Sequence, residues 1–516
     1  MKNMACDIVI IGGGGSGLVA GCRAADLGKS VIVLEKDKRT LGGGMNMAST
    51  MRTFGSKWQK ERNLPDTTML YLRNRMDETF WRIDRKLAVN VIRGTGQFFD
   101  WFCEIAPQEV IDQFTVGRYV FDEESDGPLG PQCSAHGDEK NMANGGTGHG
   151  KGSGRLIVET TAQKLREKGG EILMGAVTEK IIVKDGKVTG VVVKQGDENI
   201  EIVCKAVILA SGSWIRNQEV VRKYYPELAA AQPYMGESPH MNWNYTGDGL
   251  KLAEDAGALM DEKNRTIRMM GPMTMCRSRV MGDMANSAYA IYVNQEGKRY
   301  ICEGSQLRIG VFDSGSVQVE QPKGKVYVIF DESALAHAVA DGDNQPQPQL
   351  AMPFGASHFP ETMEEVHAEI DPALEKNDGV IFRANTLEEL ANKLGLNAAA
   401  LQETVDTYNK NCAEGMDWDC FKPSEWLQPI NQAPFYAVKA SLGTDGAFGG
   451  VEIDEHMRAK AANGGVVDGL YVVGDLASGR FINMTGIKKQ IINDMSFALS
   501  SGFIAAEHAA SYIAGK

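Results

Sequence analysis

Residues 7–17 read Asp7-Ile-Val-Ile-Ile-Gly-Gly-Gly-Gly-Ser-Gly17, a β-branched apolar run followed at once by glycines. The apolar run is typical of a buried parallel strand. The segments that follow predict a helix over 18–27 and a second buried strand over 30–34. Together they form a β-α-β unit, which predicts an α/β fold built on a parallel central sheet.

The turn after the first strand contains Gly12, Gly14 and Gly17, which have the spacing G-x-G-x-x-G between a strand and a helix. Glycines at such a turn let backbone N–H groups approach a pyrophosphate at the helix N-terminus. Glu35 ends the second strand 18 residues after Gly17, where a carboxylate accepts hydrogen bonds from ribose hydroxyls. We assign Glu35 and the following Lys36 to the cofactor. The motif predicts a dinucleotide site, and taken alone it admits NAD as well as FAD.

Three later segments favour FAD as the resident cofactor. They are a glycine loop at 41–46, an Ala-Ser-Gly end to the strand at 206–212, and a Gly-Asp pair after the strand at 469–473. The cofactor-binding residues predicted in them are Gly43, Gly44, Met45, Asn46, Ala210, Ser211, Gly212, Gly474 and Asp475. Trp214, just after the second segment, is interpreted as a packing residue. Each segment is weak evidence alone, but their order and spacing are typical of a flavoprotein.

The composition excludes several classes of protein. The 516 residues include 54 Lys and Arg against 67 Asp and Glu, and a net charge of −13 disfavours a broad nucleic-acid-binding face. No apolar run of 18 residues occurs, so no membrane span is predicted. The nine cysteines lack C-x-x-C spacing, and the histidines lack ligand spacing. We therefore expect free thiols, a cytoplasmic location without a signal peptide, and no metal site.

The predicted cofactor domain is discontinuous. Short strands with turn residues between them over 171–203 predict an antiparallel meander. The pattern changes after about residue 267, and strand and long-helix patterns return beyond residue 446. We therefore assign 1–266 and 446–516 to a Rossmann-like domain and 267–445 to an inserted α+β domain.

Over nearly its whole length the chain resembles the superfamily of FAD-dependent fumarate reductases, succinate dehydrogenase flavoproteins and 3-ketosteroid dehydrogenases. Its specific marks are Asn244-Tyr-Thr-Gly-Asp-Gly-Leu-Lys251, Tyr292-Val-Asn-Gln-Glu-Gly-Lys-Arg-Tyr-Ile-Cys-Glu303 and Gly449-Gly-Val-Glu-Ile-Asp454. The resemblance implies that the inserted domain caps the flavin, that Asp248 belongs to the cofactor site, and that hydride passes between flavin N5 and a substrate carbon. Some relatives attach the flavin covalently, but 42–50 contains no His, so non-covalent FAD is predicted.

Three departures from the superfamily concern the substrate. Soluble fumarate reductases have paired His before a Met-Gly-Gly segment, whereas this chain has Asp445-Gly446 before Ala447-Phe-Gly-Gly450. By the same resemblance a second His falls at Met270, and a carboxylate-binding Arg falls at Thr485. A dianion without those donors is costly to bury. We therefore expect a substrate that is larger or less charged than fumarate or succinate.

The resemblance also points to candidate acids. The proton-donating Arg of fumarate reductases lies four residues after a Glu, and here Arg308 lies five residues after Glu303, so the match needs a one-residue shift. Tyr300 is the alternative acid, as in ketosteroid-type members, although its place in a strand favours a core role. His149, in the glycine-rich loop 144–154, is a candidate for substrate contact or proton relay, or else a local hydrogen-bonding residue.

Several residues before the last helix are candidates for the flavin or the substrate. A helix N-terminus and positive charge near the flavin pyrimidine edge would stabilise the reduced cofactor. We assign Lys489 and Gln490 to the cofactor, and to the substrate Arg480, Lys488, Phe448 and Phe481. Solvated lysines at a helix start are the alternative interpretation.

The sequence thus predicts an FAD-dependent ene-reductase that transfers hydride to the C=C bond of an α,β-unsaturated acid or ketone. The first alternative is the reverse reaction, dehydrogenation of a ketosteroid-like substrate with an external acceptor. The second is a flavin electron-transfer subunit without its own substrate. No haem motif and no second nucleotide fold stand out, so a separate electron donor or acceptor is expected in each case.

Overall fold

The computed structural model describes residues 2–48, 50–78, 81–117, 132–135, 153–226, 245–263, 266–273, 278–304, 311–342, 359–376, 379–482 and 494–515. The strands within these ranges are β1 Lys2–Ala5, β2 Ile8–Ile11, β3 Val31–Glu35, β4 Thr50–Arg52, β5 Phe114–Gly117, β6 Gln132–Ala135, β7 Glu171–Met174, β8 Ala176–Lys184, β9 Lys187–Gln195, β10 Glu198–Val203, β11 Ala206–Leu209, β12 Thr266–Met273, β13 Ile291–Asn294, β14 Val326–Asp331, β15 Ile381–Ala384, β16 Phe435–Phe448, β17 Arg458–Lys460 and β18 Val466–Val472.

The α-helices in the same ranges include two of 21 residues, which pack against each other. They are α1 Gly15–Asp26, α2 Lys57–Glu61, α3 Thr68–Glu78, α4 Arg85–Ile105, α5 Gln108–Ile111, α6 Ser153–Glu167, α7 Gln218–Tyr224, α8 Asp248–Asp255, α9 Arg279–Met284, α10 Val311–Val319, α11 Glu332–Asp341, α12 Met363–Glu375, α13 Leu387–Leu394, α14 Ala398–Glu414, α15 Gly479–Ile482 and α16 Asp494–Ala514.

The largest sheet has a parallel core of five strands in the order β18-β11-β2-β3-β7. All four residues of β2 are buried, as expected for a parallel strand with both faces covered. Helix α16 packs against α1, where Gly502 leaves room for the Ser16 carbonyl. This arrangement confirms the predicted α/β fold with a parallel central sheet.

The same sheet continues into an antiparallel meander of β8, β9 and β10. Its first hairpin turns at Asp185 and Gly186, whose φ angles of +51° and +74° suit a two-residue turn between twisted strands. At the far edge β1 pairs in parallel with β10. The predicted meander is therefore confirmed for β8 to β10, whereas Glu171–Met174, which the prediction included, pairs in parallel with β3.

The middle of the chain forms a second, antiparallel sheet in the order β12-β16-β14-β13, with β15 also paired to β16. Its helices and strands enclose two hydrophobic clusters separate from the cluster of the large sheet. The inserted α+β unit is thus present. Strand β16 passes through the assigned boundary at 445/446 and pairs with β12, which begins at Thr266, so both connections to the inserted unit run through one strand pair. The exact boundaries stay a prediction.

Within the described ranges, no helix combines the length and the apolar character that crossing a membrane requires.

Candidate flavin site

The turn between β2 and α1 contains three glycines with different surroundings. Gly12 has a φ of +109°, and a Cβ there would overlap with the Ala210 carbonyl oxygen. A Cβ on Gly17 would overlap with the Gly12 carbonyl oxygen. By contrast, a Cβ on Gly14 would meet nothing within 4 Å. Gly12 and Gly17 thus bring β2, β11 and α1 close together, whereas Gly14 faces open space.

The N-terminus of α1 is suited to a phosphate group. Gly14 is its N-cap and makes no side-chain capping bond, and the first turn of this fully described helix has no acidic residue. The first N–H groups of a helix lack partners within the helix, and its dipole attracts negative charge. The open space beside Gly14 and these donors together fit the diphosphate of a dinucleotide.

Glu35 lies at the end of β3, beside the glycine turn. Its Oε2 accepts a hydrogen bond from the Gly13 N–H at 2.8 Å, and its Oε1 accepts one from the Asp37 N–H at 2.7 Å. Burial raises the pKa of the carboxyl group above its ordinary value. The carboxylate therefore shapes the turn through backbone bonds, and its contact with a ribose stays a prediction.

Lys36 and Asp248 were assigned to the cofactor separately, and the structure pairs them. Lys36 Nζ lies 2.7 Å from Asp248 Oδ2 and donates a hydrogen bond to Thr246 Oγ1 at 2.6 Å. The pair joins the end of β3 to the start of α8. Because both side chains are partly exposed, this ion pair stabilises the fold by only about 0–1 kcal/mol. Its main effect is to fix the position of the two segments.

The glycine loop after β3 forms the 3₁₀ helix Gly43–Met47, which contains all four residues predicted there. The side-chain amide of Asn46 donates a hydrogen bond to the Leu41 carbonyl at 2.6 Å. The Met45 side chain lies against Gly15, where a Cβ would be 2.6 Å from the Met45 Cε. Met45 and Asn46 thus hold this loop against the start of α1.

Two further strands end beside the glycine turn. Strand β11 lies between β2 and β18 in parallel register, so the carboxyl ends of all three meet at one edge of the sheet. Ala210–Gly212 follow β11, and the 3₁₀ helix Gly474–Leu476 follows β18. The structure therefore brings the three predicted segments, including Asp475, to one place.

The Ser211 hydroxyl at this edge is buried and has no hydrogen-bond partner among the described atoms. A Cβ on Gly249, at the start of α8, would overlap with its Oγ. Buried hydroxyl groups almost always have a partner. An unsatisfied one beside the glycine turn is consistent with a ligand that supplies it.

The segment 446–450 is held between these strand ends by hydrogen bonds that sequence reasoning missed. Ser213 Oγ accepts one from the Ala447 N–H at 2.9 Å, and Trp214 Nε1 donates one to the Gly449 carbonyl at 2.8 Å. The Gly449 N–H in turn donates to the Asp475 carbonyl at 2.7 Å. Trp214, interpreted only as packing, therefore also positions the backbone. Such bonds have no signal in the sequence.

The predicted substrate residues that can be described are both buried. Phe448 is 1% exposed and Phe481 is 0% exposed. The Phe481 ring packs against Phe497 at 5.2 Å between centroids. Arg480 lies in α15, and its side chain falls outside the described atoms. Arg308, His149, Lys488, Lys489 and Gln490 lie outside the described residues altogether.

Tyr300 packs against the hydrophobic cluster of the inserted unit. Its hydroxyl is buried without a hydrogen-bond partner among the described atoms, and burial raises its pKa well above the usual range. This packing supports the core role given as the alternative to acid catalysis.

A fully buried charge cluster beside Tyr300 was also missed. Arg299 donates to both oxygens of Glu303, at 2.8 and 2.6 Å, and to both oxygens of Asp417, at 2.9 and 2.7 Å. Lys422 Nζ lies 3.4 Å from Glu303 Oε2. Burial alone would raise the pKa of Glu303, but Lys422 and Arg299 hold it below its ordinary value. The one signal of this cluster in the sequence is the four-residue separation of Arg299 and Glu303.

No group of three or more His, Cys, Asp or Glu side chains within the described ranges is placed to hold a metal ion.

The geometry of the glycine turn agrees with the family comparison. Residues 7–485 match the profile of a family described as FAD binding domain. The chain belongs to this family of FAD-binding domains. The predicted cofactor, FAD, is therefore supported by the family and by the fit of the turn.

Among its relatives, the vinyl phenol reductase of Lactiplantibacillus plantarum is 27% identical and aligns over 99% of this chain and 97% of its own. The NADH:acrylate oxidoreductase of Vibrio harveyi is 27% identical over 92% of this chain, which spans 47% of that protein. The chain thus spans about half the length of this second relative.

Among solved structures, the 3-ketosteroid delta1-dehydrogenase of Sterolibacterium denitrificans has the same fold. Its TM-score is 0.71 at 20% identity, with 98% of this chain and 99% of that chain covered. The predicted superfamily and enzyme class, FAD-dependent oxidoreductases, are confirmed.

Proposed function

We propose that this chain reduces a conjugated C=C bond in a substrate that is not a small dicarboxylate. The observation that carries the proposal is the segment 445–450, where Gly446 provides no side chain and Phe448 is buried. In this position soluble fumarate reductases have a polar clamp. The near full-length similarity to a vinyl phenol reductase supports the same direction of reaction.

The described residues suggest how FAD would be held. The backbone N–H groups of 14–17 would bind the diphosphate, the 35–36 pair would lie toward the adenosine, and the 474–475 pair toward the ribityl chain. No His occurs in 42–50, which supports non-covalent binding. When bound, FAD supplies hydride chemistry at its N5 atom.

The protein itself would exclude water, orient the substrate and supply a proton. The inserted unit would exclude water and align the reacting carbon, since well-oriented reactants contribute several kcal/mol to a rate enhancement. An acid must also deliver a proton to the carbon next to the carbonyl or aryl group. We assign this acid to Arg308, with Tyr300 as the alternative and His149 as a relay candidate. Arg480 and Lys488 remain candidates for substrate contact.

We expect the electrons to come from a separate donor, because no haem motif and no second nucleotide fold stand out in the sequence. The same residues would serve the reverse dehydrogenation, because a catalysed reaction has the same transition state in both directions. An external acceptor would then be required.

Anaerobic reoxidation of the photoreduced holoenzyme tests the proposal. The flavin absorbance is followed after adding a vinyl phenol, an aryl enoate, a steroid enone or fumarate. We expect at least one non-dicarboxylate to reoxidise the enzyme about 100-fold faster than fumarate. Fumarate reacting at a comparable rate, or no reaction with the whole panel, would contradict the proposal.

Two variants in the same assay separate the candidate acids. Arg308→Gln should slow reoxidation while Tyr300→Phe leaves it near the wild-type rate. The opposite result would assign the acid to Tyr300. Equal, small effects would assign it to neither residue.

A further inference from the structure

The loop after α14 exposes three large apolar side chains to solvent. Met416, Trp418 and Phe421 are 48%, 63% and 76% exposed. We call residues 416–421 the aromatic loop. An isolated apolar side chain on a surface is ordinary, whereas a group of them marks a surface that contacts another molecule. Three such side chains on one short loop are therefore a candidate for a docking surface.

Hydrogen bonds fix the backbone of the aromatic loop. The Asp417 carboxylate, which belongs to the buried charge cluster, accepts hydrogen bonds from the N–H groups of Asp419 at 3.3 Å and Lys422 at 3.0 Å. The Asn411 side chain donates to the carboxylates of Asp417 and Asp419, at 3.1 Å each. The Phe421 N–H donates to the Asp417 carbonyl at 3.2 Å. The loop is thus ordered before it meets a partner, so little conformational entropy is lost on binding.

The backbone of Phe421 is in the left-handed region. Its φ is +59°, a conformation that a bulky residue rarely adopts. Because the ring is mostly exposed, packing within the chain does little to offset this strain. Trp81 has a similar φ of +58°, but its Nε1 donates a hydrogen bond to Asp77 at 2.9 Å, a bond that a phenyl ring cannot make. A strained and exposed ring is consistent with use of the side chain outside the fold.

Exposed carboxylates flank the aromatic loop in the chain. Glu414, Asp419 and Glu425 are exposed. The exposed Lys410 lies 3.9 Å from Glu414 and offsets one of these charges. Over the whole inserted unit, residues 267–445 hold 25 acidic residues against 14 basic ones. Because complementary charge steers association and like charge opposes it, these surroundings favour a partner that carries Lys or Arg.

The same charges argue against two other occupants. A second copy of this chain would bring the acidic surfaces of two inserted units together, and a bilayer with anionic head groups would repel the same surface. A protein with a basic border meets neither obstacle. Three side chains supply only part of the roughly 800 Å² that each partner buries in a stable interface, so we expect a reversible complex.

We propose that the aromatic loop docks into an apolar recess of a partner protein whose rim carries Lys or Arg side chains. Trp418 and Phe421 are the anchors, since aromatic side chains at the centre of an interface contribute most of the binding energy. The proposal does not depend on hydride chemistry, because the hydrogen bonds given above connect residues of the inserted unit alone.

A peptide probe with the chemistry of the expected recess tests the proposal. The probe is a labelled amphipathic helix of Leu and Lys, and its binding to the full-length holoenzyme is followed by fluorescence anisotropy. We expect Trp418→Ser and Phe421→Ser each to raise the dissociation constant about 10-fold. Trp81→Ser is the matched control, because Trp81 is 61% exposed outside the inserted unit, and it should leave the dissociation constant nearly unchanged. A helix of Leu and Glu should bind more weakly, because like charges repel.

The proposal is overturned if the Leu/Lys probe does not bind, or if it binds the two loop variants as tightly as wild type. Sedimentation velocity and flotation with phosphatidylcholine vesicles test the other occupants. A dimer or vesicle binding that the loop variants abolish would assign the aromatic loop to a second copy or to a lipid surface instead.

A second measurement needs no partner. Glycine adopts the left-handed conformation without steric strain, so Phe421→Gly should leave the thermal unfolding midpoint of the holoenzyme at or slightly above the wild-type value. A midpoint lower by more than about 2 °C would show that the ring stabilises the fold. The ring would then have a structural role, and the inference would be overturned.

Discussion

The glycines of the turn between β2 and α1 have different physical roles, although they belong to one sequence motif. Gly17 and Gly12 are required for close packing, because any side chain would overlap with a backbone carbonyl. Gly14 has ordinary extended angles, with a φ of −75° and a ψ of −179°, and open space around it. Its lack of a side chain matters for what binds there and not for the fold.

A pair of alanine substitutions tests this distinction. Gly17→Ala should lower the free energy of unfolding by about 3 kcal/mol, because rigid backbone must move. Gly14→Ala should leave stability within about 0.5 kcal/mol but weaken FAD binding, because the methyl group projects into the diphosphate space. Chemical denaturation of the apoproteins and FAD titration measure the two effects. Equal stability losses would contradict the assignment.

At the scale of elements, the inserted unit depends on its buried charge cluster. The side chains of Arg299, Glu303, Asp417 and Lys422 are 0–3% exposed. The cluster ties the hairpin after β13 to the loop after α14, and the Tyr292 N–H also donates to Glu303 at 3.0 Å. Replacing one member leaves another charge buried without its partner, and such losses are large.

Arg299→Lys keeps the charge but cannot make the paired bonds to two carboxylates. We expect the free energy of unfolding to fall by about 3 kcal/mol. Arg383→Lys is the matched control, since its ion pair with Asp371 is 38% and 47% exposed, and it should cost less than about 1 kcal/mol. Urea unfolding followed by tryptophan fluorescence measures both. Similar losses for the two variants would show that the cluster does not stabilise the inserted unit.

At the scale of the whole molecule, distant parts of the chain converge on the flavin site. Residues near positions 12, 211 and 474 meet there through adjacent parallel strands. Most of the net negative charge lies in the inserted unit, since residues 267–445 hold 25 of the 67 acidic residues but only 14 of the 54 basic ones. A ligand at the convergence point links segments that are otherwise far apart in sequence.

Removal of FAD should therefore lower the stability of the large sheet. With free FAD at about 100 times its dissociation constant, the linkage contributes about 2.7 kcal/mol, or roughly 2–4 °C in the unfolding midpoint of a chain of this length. Differential scanning calorimetry of holoenzyme and apoprotein measures it. The Gly14→Ala apoprotein is the control, because its midpoint should respond less to added FAD. An unchanged midpoint on FAD removal would contradict the assigned site.

Elements with a local signal could be predicted from the amino-acid pattern. Hydrophobic patterning predicted a strand at 7–11, observed at Ile8–Ile11, and a helix at 18–27, observed at Gly15–Asp26. The spacing of glycines after β2 predicted the dinucleotide turn, because backbone conformation at a tight turn depends on residues adjacent in the chain. Helix bounds were less predictable, because the helix expected at 18–27 begins at Gly15, inside the glycine turn.

Contacts between residues far apart in the chain could be identified only in the folded structure. The Lys36–Asp248 pair, the bond from Trp214 to Gly449, the Arg299–Asp417 contact and the Phe448 ring over Gly446 join segments or orient side chains that no local pattern relates. Such contacts depend on packing at native density, where the space left by one residue is filled by another. The family and the cofactor could therefore be predicted from sequence, whereas the contacts between distant segments required the folded chain.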